Sequence, residues 1–120
     1  MNPSEHQEQV ALMDRVRLYA NRHPALLNVA AVPNGGHRNK VTASKLKREG
    51  VSPGYPDLIV DVPAGGFHGL RIEMKSLTGF PSREQKQWIE RLREHGYRAE
   101  VCRGADQAWR VLCDYLGIRP

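Results

Sequence analysis

The 120-residue sequence has little of several features that would indicate other classes of protein. Its two cysteines, Cys102 and Cys113, are too few for a disulfide framework and lack a zinc-ligand spacing, so we expect buried apolar thiols. None of the five histidines has a metal-ligand spacing such as His-x-x-x-His. We find no apolar run long enough to span a membrane, no apolar signal segment, no internal repeat and no low-complexity segment. We therefore expect a single domain over residues 1–120, located in the cytoplasm.

The charge balance is the first positive signal. The chain has 18 Lys and Arg against 13 Asp and Glu, which gives a formal net charge of +5. This excess suits a polyanionic partner such as nucleic acid, although many basic proteins bind none. The hydrophobic fraction of 40% and the charged fraction of 26% are typical of a globular domain and argue against disorder.

Apolar spacing, capping residues and turn residues predict the order α-β-α-β-β-α-β-α. The predicted elements are a helix from Ser4 to His23-Pro24, a strand over 27–32, a short helix from Thr42 to Arg48, strands over 57–62 and 69–75, a helix from Ser82 to Gly96, a strand over 97–102 and a helix over 105–116. The inner face of the first helix is predicted at helical spacing to contain Val10, Met13, Val16 and Ala20, widened by Leu12 and Tyr19. A hairpin followed by a right-handed β-α-β crossover implies an α/β fold with a central mixed sheet flanked by helices.

Three polar residues of the predicted hairpin are candidates for an active site. Asp57 begins one strand, and Glu73 and Lys75 lie two residues apart on the next, so the latter two share a face. If the strands pair, Asp57 lies beside Glu73 at one end of the sheet. The plainer interpretation is that a Glu-x-Lys pair marks a solvated strand face and a Pro-Asp pair starts a turn.

Two carboxylates and an ammonium group are what phosphodiester hydrolysis needs. The carboxylates of Asp57 and Glu73 would hold a hard divalent cation, with the backbone carbonyl of Met74 completing part of its shell. Such a cation polarises the phosphate and lowers the pKa of a bound water. The Lys75 ammonium would orient that water or stabilise the developing negative charge.

Short motifs across the chain add a family resemblance. Gly54-Tyr55-Pro56-Asp57, Glu73-Met74-Lys75, Ser82 with Gln85, and Gly96-Tyr97 resemble the VRR-NUC family, the virus-type replication-repair nucleases of the PD-(D/E)xK superfamily. The N-terminal Glu5-His6-x-x-Gln9-Val10-Ala11-Leu12 and the turn Pro33-Asn34-Gly35-Gly36 resemble its stand-alone phage and bacterial members. The resemblance runs from about Ser4 to Leu116, and its order and spacing are more specific than any single motif.

The resemblance implies a restriction-endonuclease-like fold and a role for each motif residue. Asp57 and Glu73 would bind Mg²⁺ or Mn²⁺, Lys75 would serve the attacking water, and Gln85 would point into the site. A glutamate of the first helix would complete the acidic cluster. Glu5 and Glu8 are both candidates, and the Glu-x-x-x-Gln pattern favours Glu5. Either residue is also explained as a carboxylate stabilised by the helix dipole in the first turn.

The resemblance also implies a substrate and a setting. It implies a metal-dependent, structure-specific DNA endonuclease acting on branched DNA, such as four-way (Holliday) junctions or flaps, in a bacterial or phage-infected cell. Symmetric cleavage of a junction needs two active sites, so we expect a homodimer. The main alternative is a nucleic-acid-binding module that keeps the fold without cutting, and a weaker one is an interaction domain whose charge serves only solubility.

The basic stretch after the first strand is the predicted DNA-backbone surface. Lys and Arg contacts to phosphates give affinity without sequence information, although a solvated helix face explains any one of these residues equally well. The predicted contact residues are Asn34, Arg38, Lys40, Lys45, Lys47 and Arg48.

Overall fold

The computed structural model describes residues 1–33 and 40–119. Its elements are α1 (Glu5–Tyr19), a 3₁₀ helix (Pro24–Asn28), β1 (Val29–Ala31), α2 (Lys40–Arg48), β2 (Leu58–Val60), β3 (Leu70–Lys75), α3 (Arg83–Glu94), β4 (Arg98–Arg103) and α4 (Ala105–Leu116). The predicted order of helices and strands is confirmed. Within the described ranges, no helix has both the length and the apolar character needed to cross a bilayer.

The four strands form one mixed sheet in the order β1-β2-β3-β4. β2 pairs antiparallel with both β1 and β3, and Leu58 lies opposite Ile72. β3 and β4 are parallel, with Glu73 opposite Val101, and α3 makes the crossover between them. The mixed sheet therefore contains the predicted hairpin of β2 and β3, with β1 added beside β2 and β4 added beside β3 through the β-α-β crossover.

Apolar side chains cover both faces of the sheet. The larger cluster joins the sheet to α1 and α4 and contains Leu12, Ile72, Met74 and Leu112. A smaller cluster of Ile89, Leu92 and Ala99 lies between α3 and β4. All six residues of β3 are buried, because helices pack around this strand. Cys102 and Cys113 are free and buried, as expected.

Several element boundaries differ from the sequence predictions. α1 ends at Tyr19, where the carbonyl oxygen accepts from the N–H groups of both Arg22 and His23. Pro24 does not simply end a helix but begins a 3₁₀ helix, because its fixed φ suits the first position of a helical turn. Leu27 and Asn28, which were predicted to belong to the strand, lie in this 3₁₀ helix, and β1 begins only at Val29. Thr42 is not a cap, since α2 already begins at Lys40.

The predicted inner face of α1 is divided between two surfaces. Leu12 and Val16 are buried in the main cluster, and Met13, Tyr19 and Ala20 pack against it while partly buried, as predicted. Val10 is 44% exposed, so the prediction is wrong for this residue. The helix carries apolar side chains on two faces, and helical spacing alone did not separate them. Glu8, one turn before Leu12, lies on the buried face instead.

Glu8 caps another helix. The residue is 8% exposed, and its Oε1 accepts a hydrogen bond of 3.0 Å from the backbone N–H of Ala105 in the first turn of α4. The N-cap of α4 is Gly104, which has a φ of +86° and no side chain to do this. A Cβ on Gly104 would lie 2.7 Å from the Leu77 side chain and 3.5 Å from Glu8 Oε2. Glu8 therefore joins α1 to the positive end of α4.

Replacing Glu8 should destabilise the fold. Glu8→Ala leaves a buried N–H without an acceptor, so we expect the free energy of unfolding to fall by about 1–3 kcal/mol. Asp14→Ala is the control, because Asp14 is an exposed acid on the same helix and its loss should change stability by less than about 0.5 kcal/mol. Urea denaturation measures both, and equal stabilities for the two variants would contradict the capping role.

Candidate active site

β3 presents its polar residues on one face. Arg71, Glu73 and Lys75 alternate with Leu70, Ile72 and Met74, which belong to the main apolar cluster. Glu73 and Lys75 share a face, as period-two geometry predicts. Glu73 is 1% exposed and Lys75 is 8% exposed, so the plainer interpretation of a solvated strand face is wrong for this pair.

Asp57 lies one residue before β2 and is fixed against β3. Its Oδ2 accepts a hydrogen bond of 2.8 Å from the backbone N–H of Met74. The Met74 side chain is fully buried in the core, so this residue presents its backbone to the site. Because the N–H and C=O of a strand residue point to the same side, the Met74 carbonyl lies on the same side of β3 as its N–H.

The carboxylates of Glu5, Asp57 and Glu73 come together. One oxygen from each lies within 4.8 Å of the others. Glu5 is the first residue of α1, and the capping box of Ser4 and Gln7 fixes where this helix begins. Of the two glutamates that the sequence left open, the structure therefore brings Glu5 to the cluster and places Glu8 at α4.

Lys75 of β3 and Gln85 of α3 both contact this acidic cluster. The Lys75 Nζ lies 3.4 Å from Glu5 Oε2 and 3.8 Å from Glu73 Oε2. The Gln85 side-chain amide donates to Glu73 Oε2 at 3.0 Å. Gln85 also forms the capping box of α3, because its Oε1 accepts from the Ser82 N–H. One glutamine thus begins the helix and holds the buried carboxylate.

The environment of Glu73 disfavours its charged form. Burial, followed by the adjacent carboxyl group of Asp57 with its negative charge, raises the pKa of Glu73 to about 9, although Lys75 acts in the opposite direction. Within the described part of the chain, Glu73 Oε1 accepts no hydrogen bond and is shielded from water. A buried oxygen without a partner, beside two more carboxylates, fits the oxygen ligands that a hard divalent cation prefers.

Arg71 is a residue of this face that the sequence analysis did not single out. It is 8% exposed, its Nε donates to the Tyr55 hydroxyl at 3.0 Å, and its guanidinium lies 4.7 Å from the centre of the Tyr97 ring. It therefore joins the loop before Asp57 to the loop before β4. The signal that would have indicated it is its position two residues before Glu73, which places it on the same face of the strand.

Gly54 brings the loop before β2 against α3. Its φ is +84°, and a Cβ at this position would lie 2.6–2.7 Å from the backbone of Glu84 and Gln85. A side chain would therefore push apart the segments that carry Asp57 and Gln85. Contacts between Tyr55 and Trp88, and between Trp88 and Ser52, hold the same loop on α3.

The predicted DNA-backbone residues are only partly described. Lys45, Lys47 and Arg48 are exposed in the last turns of α2. Lys40 is the first residue of that helix, but its side chain lies outside the described part. Asn34 and Arg38 lie outside the described residues.

The fold and the site together define a class of protein. The chain is an α/β protein whose four-stranded mixed sheet, flanked by helices, holds three carboxylates, a lysine and a glutamine at one place.

Comparison with known proteins gives the family. The model of the VRR-NUC domain family matches residues 4–106. A solved structure described as a VRR_NUC domain protein is 32% identical, covers 98% of this chain and 91% of its own, and superposes with a TM-score of 0.80. The chain therefore belongs to the VRR-NUC family of nucleases, and its fold is confirmed as the fold of that family. No curated protein sequence matches it.

The raised pKa of Glu73 predicts how stability depends on pH without metal. Between the ordinary value of 4.5 and about 9, the folded state holds a proton that the unfolded state has released. This contribution is therefore fully present below pH 4.5 and is lost as pH rises toward 9, by up to about 1.4 kcal/mol per pH unit.

Chemical denaturation in EDTA from pH 6 to 8 measures this dependence, with Glu73→Gln as the comparison. We expect wild-type stability to fall relative to that of Glu73→Gln, because the amide stays neutral. Parallel stability curves for the two proteins would show that Glu73 is charged in the folded state throughout this range.

Proposed function

We propose that this protein is a Mg²⁺- or Mn²⁺-dependent DNA endonuclease that hydrolyses phosphodiester bonds. The observation that carries the proposal is the buried Glu73, whose Oε1 accepts no hydrogen bond within the described residues and which lies with Asp57 and Glu5 in one cluster. Membership of a nuclease family supports the same reaction class.

The proposed cation ligands are the carboxylates of Asp57, Glu73 and Glu5, with the backbone carbonyl of Met74. When bound, the cation supplies Lewis-acid activation of the phosphate and of water. Gln85 holds Glu73 through Oε2, which leaves Oε1 available as a ligand. The Met74 N–H holds Asp57 in the same way through its Oδ2. Each of these two carboxylates is thus oriented before the cation binds.

Lys75 is the residue proposed to act on the attacking water and on the phosphate. Its ammonium lies between Glu5 and Glu73, and its side chain is 10% exposed, so few other orientations are open to it. A positive charge in this position orients the attacking water and stabilises the negative charge that develops on the phosphate. Because Lys75 and Glu73 are themselves buried, the interaction is stronger than it would be in water.

The proposed substrate is branched DNA, such as a four-way junction or a flap. Exposed Lys45, Lys47 and Arg48 supply phosphate contacts, together with Asn34, Arg38 and Lys40. One domain over residues 1–120 covers little of a branched molecule and has one carboxylate cluster among its described residues. Paired cuts in a symmetric junction therefore call for a homodimer, which is part of the proposal.

The second candidate function is a module that binds nucleic acid without cutting it. The basic surface of α2 is compatible with this function. The carboxylate cluster argues against it, because bringing three acidic groups together, one of them buried, costs free energy and repels a polyanion. Metal dependence separates the two functions, since a pure binder has no need of the cation.

Cleavage of labelled four-way junction, flap and linear duplex DNA with Mg²⁺, Mn²⁺ or EDTA tests the proposal. We expect cutting only with a metal, and a loss of about 100-fold or more in Glu73→Ala and in Lys75→Ala. Glu90→Ala and Lys86→Ala are the controls, because they remove exposed charges of the same types from α3.

The same assay identifies the alternative. If folded wild-type protein cuts none of these substrates with either metal but still binds DNA, the binding module becomes the better account. If the two control variants lose as much activity as Glu73→Ala and Lys75→Ala, the roles assigned to the buried residues are wrong.

A further inference from the structure

α1 has a second face that the core covers only in part, because Met13 packs against the main cluster whereas Val10 is exposed. Val10, Met13 and Arg17 follow one another at spacings of three and four residues, which places them in one line along the helix. Val10 is 44% exposed and Arg17 is exposed at the far end. The line begins next to Glu5, the residue of this helix that reaches the carboxylate cluster.

This face forms one wall of a groove of about 720 Å³, here called the α1–β1 groove. The opposite wall is β1 with Val32, at the edge of the sheet, and Glu5 and Asp57 both line the groove. The groove therefore opens directly from the carboxylate cluster. Glu5 and Arg17 are 12 residues apart, which corresponds to about 18 Å along the helix.

The lining indicates which part of a nucleic acid fits. Next to the carboxylates the α1 wall carries the polar side chains of His6 and Gln9, and from there to Arg17 the lining is apolar, with Val10 and Met13 facing β1. Apolar side chains suit the faces of bases, whereas phosphates require cations or N–H donors. Base faces are accessible only where a strand is unpaired. The lining thus fits an unpaired strand rather than a duplex, whose outer surface is its phosphate backbone.

We propose that the α1–β1 groove binds an unpaired strand of the substrate directly beside the scissile phosphate, with bases on Val10 and Met13 and a backbone phosphate at Arg17. The inference rests on the proposed function, because it takes the carboxylate cluster as the place where the phosphate is cut. At about 3.4 Å per stacked nucleotide, the 18 Å length holds about five nucleotides. The groove then selects substrates that have a single strand next to the cut.

Val10→Asp tests the groove without any cleavage step. It places a negative charge between the carboxylates and Arg17, where the strand would run. Leu18→Asp is the matched control, because Leu18 is 74% exposed on the same helix and does not line the groove. The readout is the fluorescence anisotropy of a labelled ten-nucleotide single strand, and of a duplex of the same length, with Ca²⁺ as the cation.

We expect Val10→Asp to bind the single strand at least 10-fold more weakly than wild type, with duplex binding unchanged, and Leu18→Asp to match wild type on both. Thermal unfolding of each variant verifies that it is folded. Single-strand affinity that is unchanged in Val10→Asp, or reduced equally in Leu18→Asp, overturns the proposal. A change in sedimentation from dimer to monomer in Val10→Asp also overturns it, because the groove would then be a contact between two copies of the chain.

The result is independent of whether the protein cuts DNA. Loss of single-strand binding in Val10→Asp supports the groove even if wild type cleaves no substrate, in which case only the nuclease proposal fails. Metal-dependent cleavage by wild type, together with full single-strand binding by Val10→Asp, would support the nuclease proposal and contradict the groove proposal.

Discussion

Burial of the Glu73 carboxyl group on a central strand is the constraint around which the site is built. A carboxylate that is 1% exposed is costly unless other groups compensate for the lost water. Gln85 supplies one hydrogen bond and Lys75 supplies a nearby positive charge, but Asp57 and Glu5 add negative charge at the same place. A divalent cation would neutralise the remaining excess of negative charge. The buried carboxyl group that is costly for the fold is therefore also the group that suits a nuclease.

Each element that meets Glu73 is positioned by a separate contact. The Ser4 capping box sets where α1 begins, and Glu8 joins this helix to α4, so Glu5 reaches the cluster from a fixed direction. The Ser82–Gln85 capping box does the same for α3. The close approach of Gly54 to α3 then brings the loop before β2 into place. Because these contacts involve different parts of the chain, the geometry of the site depends on the whole fold.

Local signals in the sequence predicted much of this arrangement. The caps at Ser4 and Ser82, the hairpin, and the shared face of Glu73 and Lys75 all follow from short-range rules, and the structure has them. Long-range packing was beyond those rules. The choice between Glu5 and Glu8 depends on α4, whose Ala105 is 97 residues from Glu8, and the exposed side of α1 depends on where β1 lies. The burial of Arg71 was missed because charge alone indicates a solvated residue.

The most direct test of this account is equilibrium binding of Mn²⁺, followed by the electron paramagnetic resonance signal of the free ion. The account predicts that wild type binds Mn²⁺, that Glu73→Gln weakens binding at least 10-fold, that Glu5→Gln also weakens it, and that folded Glu8→Gln binds as wild type does. Equal affinities for wild type and Glu73→Gln, or a loss confined to Glu8→Gln, would contradict a cation site formed by Glu5, Asp57 and Glu73.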